Sequence, residues 1–144
     1  MNDRFDLARF VTAQDQDHAY DRALAEIRRG AKTGHWMWYV FPQVAGLGHS
    51  AMARHYAIRS LEEARAYLAH PLLGPRLRAC LAALQGLADT TAERVFGPVD
   101  AMKLRSSLTL FEAAGAGPAF TAAIARWFGS PDARTLDLLA DLSC

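Results

Sequence analysis

His35-Trp-Met-Trp-Tyr-Val-Phe41, closed by Pro42 and Gln43, is the stretch on which the fold class turns. Trp, Tyr, Val and Phe all favour strands. A lone strand is not viable, however, and the chain offers it no partner. No other segment alternates apolar and polar residues at period two, and there is no Asn-Gly or Asp-Gly hairpin signal. The stretch is therefore expected to be a short helix ending before Pro42, since the residue preceding a proline avoids the helical region. On a helix His35 and Tyr39 share a face, while Trp36 and Trp38 point roughly 200° apart. On an extended segment the two indoles would share a face. The helical reading places one indole in the core and the other beside a pocket.

Outward from this stretch, helical periodicity dominates. Leu73, Leu77, Cys80, Leu81, Leu84 and Leu87 recur at helical spacing, and Phe120, Ala123, Ile124, Trp127 and Phe128 follow the i, i+3, i+4, i+7, i+8 pattern. Tyr20, Leu24 and Ile27 mark another helix, which Gly30 can end. Ser60-Leu-Glu-Glu63 and Thr90-Thr-Ala-Glu93 read as capping boxes. Pro118 suits a first helical position and Gly129 the residue after a helix end. Helices are expected near 4–13, 17–29, 50–57, 61–69, 73–88, 100–113 and 118–128, with a short final turn near 135–141. Leu77, Leu81, Leu84, Ile124 and Phe128 are expected to be buried. The predicted class is all-α, with residues 1–144 forming a single domain.

The 144 residues suit one domain, and 51% hydrophobic content with 22% charged residues supports a core rather than disorder. A net charge of +1 gives no support to nucleic-acid binding, which wants a basic patch. No apolar run approaches the roughly 20 residues that span a bilayer, so no membrane association is expected. The start, Met1-Asn-Asp-Arg-Phe-Asp6, is polar and unlike a signal peptide. Cys80 and Cys144 cannot make a disulfide framework; Cys80 reads as a small buried apolar residue, and the cytoplasm is the expected compartment.

The chain resembles the DUF1810 family. The motifs that carry the resemblance are Phe5-Asp-Leu-Ala-Arg-Phe10 with Ala13-Gln14, His35 to Gln43, Gly46-Leu-Gly48, Ser50-Ala-Met-Ala53 and Tyr56-Ala-Ile58. Glu63 to Pro71, Leu73-Gly-Pro-Arg-Leu77 and Lys103-Leu-Arg-Ser-Ser-Leu-Thr-Leu-Phe111 complete them. The resemblance covers nearly the whole chain. It implies a mostly helical fold with one central helix surrounded by others, and it assigns no activity.

Chemistry is read from the residues themselves. His35 is the candidate general acid or base, because its imidazole titrates near neutral pH; the alternative is a structural imidazole bonded to a backbone carbonyl. Trp36 or Trp38 could stack on a planar ligand, with core packing as the alternative. Gly46, Gly48 and Ser50 lead into a helix start whose N–H groups could cradle an anion, with Gln43 beside them; the alternative is a plain turn. Lys103, Ser106 and Ser107 fall within a roughly 100° arc of a helix and could hold a phosphate, or the serines could simply allow close packing. His70 at a helix end reads as a cation favoured by the dipole. His18, His49 and His55 lack ligand spacing, so no metal and no cofactor are expected. Two functions fit: a cleft binding, or acting on, a small anionic, nucleotide-like or phosphorylated ligand, and a protein-interaction module anchored by the Trp-rich segment. In the first, the segments around His35–Gln43, Gly46–Ser50 and Lys103–Ser107 meet at one cleft.

Overall fold

The computed structural model of the chain describes residues 3–142; Met1 and Cys144, both considered above, lie outside them. Its helices are α1 (Ala8–Asp15), α2 (Ala19–Arg29), α3 (Met37–Val40), α4 (Ala51–His55), α5 (Leu61–Ala69), α6 (Leu73–Gln85), α7 (Ala92–Phe96), α8 (Pro98–Ala113), α9 (Pro118–Trp127) and α10 (Ala133–Leu142). A 3-10 turn, Gln16–His18, joins α1 to α2. No strand occurs among the described residues. The extended chain after Pro42 does find a partner, which the sequence did not disclose, in an isolated parallel bridge between Val44 and Ile58. There the Ile58 N–H donates to the Gln43 carbonyl at 2.9 Å and the Ala45 N–H to the Ile58 carbonyl at 2.8 Å.

Met37–Val40 of the deciding stretch is helical, as α3, and ends before Pro42; His35 and Trp36, expected in the same helix, precede it. The architecture is all-α. Helix α8 is the central one: α3, α5, α7, α9 and α10 pack around it. Ala101, Leu104, Leu108, Leu110 and Phe111 are buried on several sides of it, as expected of a helix enclosed by others. Leu77, Leu81, Leu84 and Ile124 are buried as expected. Phe128 is only half-buried, because it follows the last turn of α9 at the edge of the core.

Local chemistry explains where the helices depart from the expected bounds. Asp3 accepts from the Leu7 and Ala8 N–H groups at 2.7 and 2.9 Å, so α1 begins at Ala8 rather than near residue 4. Helix α6 stops at Gln85 with Gly86 as its C-cap, and Arg126 of α9 satisfies the free Gln85 carbonyl at 2.7 Å and also the Leu87 carbonyl. The second capping box is shifted by one residue: Thr91, not Thr90, accepts from Arg94 N–H. Burial of Ala92, Val95 and Phe96 at i, i+3, i+4 sets that register and makes α7 a helix the periodicity did not mark. Pro98 takes the first position of α8, two residues before the expected start. The final turn is a full helix, α10, because Asp132 caps it through Thr135 N–H at 2.9 Å. Ser60 caps α5 as expected, accepting from Glu63 N–H at 3.0 Å.

His70 lies at a helix end, as the C-cap of α5, but its ring is turned to the next helix. Its Nδ1 accepts from the Leu72 and Leu73 N–H groups at 3.1 and 3.2 Å, so the ring caps the start of α6. Gly74 lies where that start meets α5. A Cβ there would stand 2.1 Å from the Leu68 carbonyl oxygen, so the packing of α6 on α5 admits no side chain at this position.

Buried polar groups tie the amino-terminal region to the core. Arg9 and Glu63 form an ion pair at 2.8 Å with side chains 6% and 4% exposed. Arg9 also donates to the Phe5, His55 and Ala57 carbonyls, which satisfies the buried guanidinium. Gln14 donates to the Tyr39 carbonyl at 2.8 Å and to the Tyr67 hydroxyl at 3.2 Å, anchoring α1 to α3 and α5.

Candidate functional site

The loop between α2 and α3 is built on one carboxylate. Glu26 Oε1 accepts from the Thr33 N–H at 2.7 Å, the Gly34 N–H at 2.8 Å and the Trp36 indole N–H at 3.0 Å. Burial pushes the Glu26 pKa up, but these donors to its charged form outweigh it and hold the carboxyl below its ordinary value. Trp36 is 3% exposed and packs edge-on to Phe96, with ring centroids 6.2 Å apart. It is the core indole of the pair, closed to any ligand in this structure.

Trp38 is the other indole, half-buried, with Lys103 Nζ 4.7 Å from its ring centroid. A parallel arrangement holds Lys32, whose Nζ lies 4.9 Å from the Trp36 ring. Asp100 stands between the two lysines, 2.7 Å from Lys32 Nζ and 3.5 Å from Lys103 Nζ. The nearer pairing ties Lys32 to Asp100, and Lys103 makes the looser contact, so Lys103 keeps hydrogen-bonding capacity toward solvent.

Lys103 faces a cleft of about 440 Å³. Gln43, Leu47, Gly48, Lys103 and Ser106 line it, so one residue or more from each of the three sequence segments meets there. Asp132 and Arg134, at the start of α10, complete its polar wall, and Val99 and Met102 of α8 its apolar lip. The size falls in the range of small-ligand pockets, about 300–1,000 Å³. Among the described residues, the Arg134 guanidinium and the Gln43 amide have no hydrogen-bonding or ionic partner in the protein.

The remaining candidates lie elsewhere or are engaged. Ser106 Oγ is 2.9 Å from Thr135 Oγ1, which itself donates to Asp132 Oδ2 at 2.6 Å. A carboxylate only accepts, so Thr135 gives its proton to Asp132 and Ser106 gives its own to Thr135. Ser106 therefore has no proton to offer a bound anion. Ser107 is fully buried, its hydroxyl has no hydrogen-bond partner, and it does not line the cleft. Ser50 is exposed and caps α4 by accepting from Ala53 N–H at 3.1 Å. Helix α4 has only 5 residues, too few aligned peptides for a strong anion-binding terminus. Gly48 has a packing reason: a Cβ on it would stand 2.6 Å from the Ala53 methyl.

His35 is exposed and lines a different depression, which it shares with Tyr39; it precedes α3, so the common helix face expected of the pair does not form. Sequence reading missed Asp132 and Arg134, which lie in what looked like the approach to a short turn. The signal was present: Pro131-Asp132 precedes buried Thr135 and Leu139 at i, i+4, a helix start with an Asp cap. Among the described residues no group of three or more His, Cys, Asp or Glu side chains is arranged to hold a metal. No helix among them is long and apolar enough to cross a membrane.

A small helical protein with a mixed polar and apolar surface cleft is the class these features define. The chain belongs to the DUF1810 family, whose description is "Protein of unknown function" and whose sequence profile matches residues 4–139. It is similar to the conserved hypothetical protein Rv1873 from Mycobacterium tuberculosis, whose crystal structure gives 50% sequence identity and a TM-score of 0.92 over 96% of this chain and 99% of that one. No curated protein matches the chain.

Proposed function

We propose that the chain is a single-domain cytoplasmic binding protein for a small anionic ligand, of nucleotide-like or phosphorylated type, held in the cleft between the Gln43–Gly48 segment, α8 and the start of α10. The observation that carries this reading is the convergence of Lys103, Arg134 and Gln43 on one cleft with an apolar side. Lys103 and Arg134 supply positive charge, and the Arg134 fork suits two oxygens of a phosphate. Leu47, Val99 and Met102 offer a surface for a flat or apolar portion of the ligand. Trp38 positions Lys103 rather than stacking on the ligand. No residue of the cleft is arranged as a nucleophile with an adjacent base, so binding rather than turnover is the function assigned.

One observation favours a protein partner instead. Val99 and Met102 are 66% and 73% exposed, an apolar pair at the cleft lip. The readings separate in a thermal-denaturation screen of nucleotides and phosphorylated metabolites. The ligand reading expects stabilisation that Lys103→Ala and Arg134→Ala each reduce. The partner reading expects no stabilisation by any metabolite, together with binding of a protein that Met102→Asp abolishes.

A further inference from the structure

The second depression, about 320 Å³, holds four groups that the cleft of Lys103 leaves unused. Arg22 of α2, His35, Tyr39 and Tyr56 all border it. Among the described residues, none of these four polar groups has a hydrogen-bonding or ionic partner.

The tyrosine rings form the inner wall, 5.5 Å apart between centroids. The Gln14 bond to the Tyr39 carbonyl fixes the backbone behind that wall. Burial pushes the Tyr39 phenol up, with the neighbouring Tyr56 adding to the shift, so its hydroxyl keeps its proton and can donate. Asp17, which borders the depression, and the His18 that follows it take positive φ values of 51° and 58°. Neither is glycine, and such strained residues cluster at functional sites. Asp17 also lines the depression and is the one carboxylate there, but it is exposed at the edge.

We propose that this depression is a second binding site, for a phosphate-type oxyanion, with Arg22 and His35 as its principal donors and the Tyr39 and Tyr56 hydroxyls as supporting ones. A guanidinium, an imidazole and two phenols all present N–H or O–H groups, the set an oxyanion accepts from. The site differs from the proposed cleft in every lining residue, so each can fail without the other.

The test is a titration of the intact chain with inorganic phosphate at fixed pH and ionic strength, following the carbon-bound imidazole resonances by NMR. His35 resonances, assigned by their loss in His35→Gln, are expected to move and saturate, while those of His49 and His70 stay in place. Arg22→Gln should weaken the His35 response at least fivefold and Tyr39→Phe about twofold. Arg134→Gln, in the other cleft, should leave the response as it is. Arg22 and His35 are both exposed, so their variants keep the fold, and unshifted His70 resonances confirm it. A His35 signal that does not saturate, or a response equal in wild type and Arg22→Gln, overturns the proposal.

Discussion

Lys103 rests on the indole of Trp38, its ammonium nitrogen 4.7 Å from the ring centroid. The contact links the Trp-rich segment to α8 and sets the direction of the cation at the cleft. Its strength is about 0.5–2 kcal/mol, by the general range for cations over aromatic rings.

Trp38→Leu keeps the charge of Lys103 but removes this support. It is expected to weaken any metabolite that stabilises the wild-type chain by about 2- to 30-fold, the factor that corresponds to that energy range. Titration calorimetry with the same metabolite checks it. Equal affinity in Trp38→Leu would show that Lys103 needs no support from the indole.

Glu26 governs the conformation of the loop before α3 and titrates in a defined window. Its folded pKa lies below the ordinary 4.5, so it contributes stability above about pH 4.5 that is lost as pH falls through the folded value. Glu26→Gln places an amide N–H₂ near three donors and should cost roughly 1–3 kcal/mol at neutral pH. Urea denaturation at pH 7 and at pH 3.5 measures it. The variant's deficit should shrink at the lower pH, and a deficit unchanged with pH would contradict the role.

Gly74→Ala should be among the most damaging small substitutions in the chain. The added methyl meets the Leu68 carbonyl, a backbone atom that cannot rotate away. Overpacking of this kind costs typically 1–3 kcal/mol and sometimes more. A melting temperature equal to wild type would mean that α5 and α6 can part without cost.

Cys80 is fully buried, and burial pushes its thiol up to about 12 from an ordinary value near 9. A group whose folded pKa is raised stabilises the fold fully below pH 9, and that contribution is lost as pH rises from about 9 toward 12. In a Cys144→Ser background, an aromatic disulfide reagent at pH 8 should find no fast thiol in the native chain and one after denaturation. Rapid native labelling would show that α6 opens readily.

Much of this arrangement is legible in the residues. The helix of Leu77, Leu81 and Leu84 follows from spacing, and α5 follows from Ser60 and Glu63, because periodicity and caps are local properties. A split between Trp36 and Trp38 was expected from the angle between them on a helix, but Trp36 precedes α3 and is held in the core by Glu26 and Phe96. What was hidden depends on distant partners. The carbonyl at the end of α6 is capped by Arg126, 41 residues along the chain. Ser106 looked like an anion donor on its own helix, yet Thr135 and Asp132, far along the chain, claim its proton. Arg134 reaches the cleft only because α10 folds back on α8.

The most direct test of the cleft assignment is thermal denaturation of the wild-type chain and of Lys103→Ala/Arg134→Ala against nucleotides and phosphorylated metabolites. A ligand at 100 times its Kd stabilises a folded state by about 2.7 kcal/mol, which for a chain of this size is a rise of roughly 5–11 °C. The account predicts such a rise for at least one metabolite with the wild-type chain. It predicts no rise for the double variant, whose unliganded melting temperature falls by no more than about 8 °C, because Arg134 is exposed and the Lys103 contact with Trp38 is worth at most about 2 kcal/mol. A wild-type chain that no metabolite stabilises, or a rise that survives in the double variant, would contradict it.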